Sequence, residues 1–171
     1  MKKFLLPLLF LFLFIFESIV IQFWPADSFE SRILAPRFLF AALAFLTIYV
    51  GKKQGIIYAA IFGLLFDVVY VEVIGIYLFL YPLICYLITK LMQVIHNNII
   101  VAFLVSMFGI ALLEVGVYEL NYLIHVTSMA FIDFVNLRLY PTLILNAIFL
   151  VVAAYPFKRW FEKHAEVLKE E

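Results

Sequence analysis

Ile56-Ile-Tyr-Ala-Ala-Ile-Phe-Gly63-Leu-Leu-Phe-Asp67-Val-Val-Tyr-Val-Glu72-Val-Ile-Gly75-Ile-Tyr-Leu-Phe-Leu-Tyr-Pro82-Leu-Ile-Cys85-Tyr-Leu-Ile-Thr89 is one long apolar stretch, marked near its middle only by Glu72 and Gly75. A helix needs ~20 apolar residues to cross a ~30 Å hydrocarbon core. The stretch is too long for one such helix and just long enough for two joined by a tight turn. Period-2 alternation is absent, so helices rather than barrel strands are predicted. Outward from this pair the same apolar texture recurs. The predicted spans are Phe4 to Phe23, Ile33 to Val50, Ile56 to Val71, Val73 to Leu91, Ile99 to Ile124 and Leu139 to Phe157. Composition agrees, with 67% hydrophobic residues, 20 Phe and 14% charged residues. The fold class expected is an all-α integral membrane protein of one domain, 1–171, with a short cytoplasmic tail at 158–171.

Basic residues set the orientation. With the N-terminus inside, one side receives Lys2, Lys3, Lys52, Lys53, Lys90, Lys158, Arg159, Lys163 and Lys169, and the other only Arg32, Arg37 and Arg138. Both termini are therefore expected in the cytoplasm, as an even number of spans requires. Lys2 and Lys3 ahead of an apolar run also describe a secretory signal. No small-x-small site follows and the run is too long for a signal core, so a retained first helix is expected.

Chemistry of the usual kinds is not announced. His96, His125 and His164 lie in separate loops or ends without metal-ligand spacing, and Cys85, the only cysteine, falls in the fourth span as packing material. There is no nucleophile elbow, phosphate-binding glycine loop or basic aromatic patch for nucleic acid. No enzyme and no cofactor are expected.

The acids inside the spans are the exception. Glu17 lies ~20 Å beyond Phe4, Asp67 ~18 Å beyond Gly55 and Glu114 ~22 Å beyond Ile99, at ~1.5 Å per helical residue. All three reach the outer half, where each costs ~2.5–3.5 kcal/mol if placed near the bilayer centre. Arg37, about a turn inside the second span, and Arg138, at the start of the sixth, are the natural counter-charges. An outer polar cluster of Glu17, Arg37, Asp67, Glu114, Arg138 and Asn146 is expected, with Arg138 favoured as the partner of Asp67. The competing reading has the arginines snorkelling to headgroups and the acids protonated. Glu72 and Glu119 read as interfacial. The cytoplasmic half offers Thr47, Tyr86, Thr89 and Ser106 but no ionisable group, which argues against a continuous ion path.

Small residues recur every four positions at Gly51, Gly55, Ala59 and Gly63, ending on Asp67. Such a stripe lets backbones approach, either for a crossing within the bundle or for a partner's helix. Ser106, Gly109 and Gly116 bracket Glu114 less regularly. Pro141 is placed in the first turn of the sixth span, where its missing N–H costs nothing.

The Lys-led first helix with an acid near its outer end, Gly55-Ile-Ile-Tyr-Ala-Ala-Ile-Phe-Gly63-Leu-Leu-Phe-Asp67 followed by Gly75, and Arg138-Leu-Tyr-Pro141-Thr142 with Asn146 resemble the rod shape-determining membrane protein MreD family in its Gram-positive form. The resemblance covers nearly the whole chain. It implies a non-enzymatic scaffold for lateral peptidoglycan synthesis in the plasma membrane. Its implied direct partner is MreC, with RodA, a class B penicillin-binding transpeptidase and the actin-like MreB in the wider complex and self-association left open. It further implies a fold similar to the substrate-binding S-components of energy-coupling-factor vitamin transporters. Such an S-component is the alternative function. Against it, Phe4 to Phe23 contains none of the alanines of the docking surface usual there, and the first loop, Trp24 to Arg32, is short.

Overall fold

Pro36 decides how the second segment begins. A residue before proline is pushed to extended backbone, and in the computed structural model residues 32–37 are non-helical until α2 starts at Phe38. The structure describes residues 5–23, 32–71, 73–95 and 98–169. Lys2, Lys3, Phe4, most of the first loop, Glu72 and His96 lie outside the described residues.

The chain is an all-α, multi-spanning membrane protein. Its elements are α1 (Leu5–Phe23), α2 (Phe38–Tyr49), α3 (Lys52–Tyr70), α4 (Ile76–Met92), α5 (Ile99–Leu123), a short α6 (Phe131–Phe134) and α7 (Tyr140–Lys169), with one π turn at Val135–Leu139 between the last two. Among the described residues four helices are long and apolar enough to cross a membrane, Leu5–Phe23, Lys52–Tyr70, Ile99–Leu123 and the continuous Phe131–Val167; Phe38–Tyr49 and Ile76–Met92 are shorter apolar helices.

The reading of Ile33 to Val50 as one helix is corrected. The 12 residues of α2 cover ~18 Å, too little for a ~30 Å core. Every residue from Phe38 to Thr47 is buried, because Phe-Leu-Phe-Ala-Ala-Leu-Ala-Phe-Leu is apolar on all sides and belongs inside a bundle. Helices α1, α3, α4, α5 and α7 all touch α2. Rings stitch this packing together: Phe40 meets Tyr81 of α4 at 5.1 Å, and Phe45 meets Phe157 of α7 at 5.8 Å.

The long apolar stretch does fold as two helices, with a turn at residues 73–75 ahead of the second. Gly75 caps α4 at φ 121°, and Gly51 turns α2 into α3 at φ 133°, both in the region only glycine enters freely. The stripe on α3 lies against the bundle. A Cβ on Gly55 would stand 2.1 Å from Thr47 Oγ1 of α2, and one on Gly63 would stand 2.5 Å from the Tyr77 carbonyl of α4. Ala59 between them is fully buried. On α5 the same role falls to Gly109, facing Ile88 and Phe40, and Gly116, facing Leu80.

Two boundaries of the last span also differ. Helix begins at Phe131, ahead of the predicted Leu139, and continues past Phe157 to Lys169. Phe161 is fully buried and lies 6.3 Å from Phe10, so this part of the expected tail packs on the bundle. Pro141 therefore sits inside a continuing helix. Its missing N–H frees the Leu137 carbonyl, which accepts from Ile33 N–H at 2.8 Å instead.

Candidate functional site: an embedded polar core

Helix α2 begins inside the bundle and α4 begins against it, with Ile76 and Tyr77 buried, and a helix start leaves N–H groups without intrahelical acceptors. In lipid these need protein partners, since water is absent. Acidic side chains supply them.

At α4 the acid is Asp67, from the preceding helix. Its Oδ2 accepts from Gly75 N–H at 3.0 Å and Leu78 N–H at 2.8 Å, and its Oδ1 from Tyr77 N–H at 2.9 Å. Both oxygens are engaged by the first turn of α4, where the helix dipole also favours negative charge. The stripe and the acid thus cooperate: Gly63 brings α3 against the α4 start, and Asp67 one turn later caps it. The favoured pairing of Asp67 with Arg138 is corrected here. No arginine is bonded to Asp67 among the described residues, and Arg138 is committed elsewhere.

At α2 the acid is Glu17, whose Oε2 accepts from Leu39 N–H at 3.0 Å. The extended approach to α2 needs more. Ala35 N–H donates to Thr142 Oγ1 at 3.1 Å, the Ala35 carbonyl accepts from Asn146 Nδ2 at 3.0 Å, and Arg37 N–H donates to Asn146 Oδ1 at 2.8 Å. With the bond from Ile33 N–H to the Leu137 carbonyl of the π turn, Thr142 and Asn146 of α7 therefore take up backbone groups of residues 33–37. This is non-helical backbone of the kind membranes tolerate only inside protein.

The third acid, Glu114 of α5, holds both arginines. Arg37 Nε donates to Oε1 at 2.5 Å and Arg138 Nε to Oε2 at 2.8 Å. Glu114 is fully buried, and the Arg37 side chain is 4% exposed against 28% for Arg138. Arg37 Nη2 also donates to Tyr77 OH at 2.9 Å, and its guanidinium lies 5.5 Å from the Phe66 ring centre and 5.2 Å from that of Tyr77. Tyr77 joins the two caps: its backbone N–H is held by Asp67 and its hydroxyl by Arg37.

Of the six predicted residues, Glu17, Arg37, Glu114, Arg138 and Asn146 meet around the α2 start, and Asp67 meets them only through Tyr77. Arg37 is the residue before the helix, not a turn within it. Sequence reasoning missed Tyr77, Phe66 and Thr142. Thr142 could have been found: Arg138, Thr142 and Asn146 recur every four residues, a polar stripe on one face of an otherwise apolar helix. Cys85 is buried in α4. Among the described residues no group of three or more His, Cys, Asp or Glu gathers as a metal site would need.

A bundle of apolar helices around a buried polar core, in which acids hold helix starts and arginines, defines a multi-pass all-α membrane protein. The family model for the rod shape-determining protein MreD matches residues 2–164. The chain is 35% identical over 173 residues to the rod shape-determining protein MreD of Bacillus subtilis, covering 100% of both chains. It is 32% identical over 128 residues to the cell shape-determining protein MreD of Streptococcus pneumoniae, covering 75% of this chain and 78% of that one. No solved structure matches it significantly. The chain belongs to the MreD family. It is a non-enzymatic, multi-pass plasma-membrane protein of the cell-elongation machinery, and the vitamin-transporter alternative gains no support from these comparisons.

Proposed function

We propose that the chain crosses the plasma membrane six times with both termini in the cytoplasm and serves there as the platform that binds MreC. RodA, a class B penicillin-binding transpeptidase and MreB belong to the wider assembly. The observation that carries this reading is the full-length match to the Bacillus subtilis protein, 35% identical with 100% of both chains covered. The topology rests on the nine basic residues on one side against three on the other. The buried cluster fits a scaffold: it fixes how α2 and α4 sit in the bundle, so the outer surface keeps one shape for its partners.

Co-purification of MreC from the same cell with the tagged chain, after mild detergent extraction, tests the partner. Retention of MreC is the expected result, and its consistent loss under conditions where the bundle stays folded contradicts the proposal. For topology, with Cys85 replaced, a cysteine at Ser128 is expected to react with an impermeant reagent in intact cells and one at Gln54 is not. External labelling at Gln54 would overturn the six-span arrangement.

A further inference from the structure

Two open grooves of comparable size run along the outside of the bundle, and they differ in one respect. The groove between α1 and α3, about 610 Å³ in volume, is lined among the described residues only by apolar ones, including Leu8, Leu11, Ile61 and Val68. The groove along α7, about 480 Å³, is apolar over Ile144, Leu145 and Ile148 but polar at its other end, where Arg32, Asn136 and Tyr140 line it. Asn136 and Ile148 are separated by ~18 Å of helix at ~1.5 Å per residue. Among the described residues, Arg32 is the only charged side chain lining this groove.

The polar end is built rather than incidental. Arg32 is carried by the extended segment, which is tied to α7 by Ile33 N–H on the Leu137 carbonyl at 2.8 Å and by Ala35 N–H on Thr142 Oγ1 at 3.1 Å. Asn136 lies within the π turn Val135–Leu139 and Tyr140 directly follows it, and such turns cluster at functional positions. Tyr140, Ile144 and Ile148 are 58%, 63% and 63% exposed, so the groove opens to the bilayer.

We infer that this groove holds one anionic glycerophospholipid, its phosphate against Arg32, Asn136 and Tyr140 and an acyl chain along Ile144 and Ile148. A positive charge and two hydrogen-bonding side chains at one end match a phosphate. The apolar length beneath matches a hydrocarbon chain. Glycerophospholipid is also the molecule that the bilayer presents to any open face. A partner helix, uniformly apolar, fits the α1–α3 groove as well as this one and gains nothing from the polar end.

The test is photocrosslinking of the full chain in nanodiscs of phosphatidylcholine doped with a phosphatidylglycerol or a phosphatidylcholine bearing a diazirine on the acyl chain, with sites mapped by mass spectrometry. Phosphatidylglycerol is expected to label Ile144, Leu145 or Ile148 at least about fivefold more than the choline probe does, the factor for one basic residue near a membrane surface. Arg32→Gln is expected to abolish that preference while leaving choline labelling unchanged. Ile144→Trp, which fills the groove, should lower labelling by both probes, and Leu11→Trp in the other groove should not change either on α7. Equal labelling by the two probes, or a preference that survives Arg32→Gln in a variant that still elutes as the folded protein, overturns the inference.

Discussion

Helices α2 and α4 both start on an acid from another helix, yet they are secured in opposite ways. The α4 start is closed by Asp67 from the same hairpin, 8 to 11 residues away in sequence. The α2 start is closed from afar: Glu17 reaches from 22 residues before, Glu114 from 77 after, and Thr142 and Asn146 from more than 100 after. The first device is local and self-contained. The second joins α1, α5 and α7 to α2, so it sets the arrangement of the whole bundle. The three buried acids therefore do different work: two cap helices and one pairs with arginine.

The largest expected effect falls on the long-range device. Glu114→Gln leaves Arg37 buried with its counter-charge gone, and breaking a buried pair in this way costs about 3–5 kcal/mol. Thermal unfolding in mild detergent should show the loss or, at its extreme, no folded protein at all. Wild-type stability in this variant would mean that Arg37 escapes to headgroups.

On the local side, Gly63→Ala forces a methyl toward the Tyr77 carbonyl, 2.5 Å from the new Cβ, where backbone must move. Overpacking of this kind costs about 1–3 kcal/mol. Leu64→Ile, on an exposed position, is expected to change nothing measurable. If the two variants melt alike, α3 and α4 are not in contact at Gly63.

The two caps should also respond differently to an amide. Asp67 uses both oxygens, so Asp67→Asn loses at least one hydrogen bond from the α4 start and costs about 1.5–3 kcal/mol. Glu17 bonds Leu39 through Oε2 alone, a bond that a glutamine oxygen can keep, so Glu17→Gln should cost less than Asp67→Asn. Equal costs from the same unfolding measurement would erase the distinction between the caps. An effect smaller than that of Asp67→Asn, about 1 kcal/mol, is expected for Thr142→Val, which leaves Ala35 N–H without its acceptor.

The division between local and long-range also explains what the sequence disclosed. Apolar length, the break at Gly75, the stripe ending at Asp67 and the acids themselves are visible because lipid penalises every exception to apolarity. What those acids bind is not visible, since carboxylates cap helices and pair with arginine equally well. Counting along Ile33 to Val50 as one helix put Arg37 a turn too deep, and Pro36, in plain view, was the residue that should have moved the start. The bonds from α7 to residues 33–37 span more than 100 positions, and no periodicity encodes them. The π turn ahead of Tyr140 likewise leaves no mark in an apolar sequence beyond Pro141.

Double-mutant cycles on two carboxylate–arginine pairs test the division of labour most directly. For Glu114→Gln with Arg37→Gln, the expected coupling in unfolding free energy is about 2 kcal/mol or more, because the second substitution removes the charge that the first leaves buried. For Asp67→Asn with Arg138→Gln, the expected result is additivity within about 0.5 kcal/mol. Additivity in the first cycle, or coupling in the second, would contradict the assignment of Glu114 as the arginine partner and Asp67 as the helix cap.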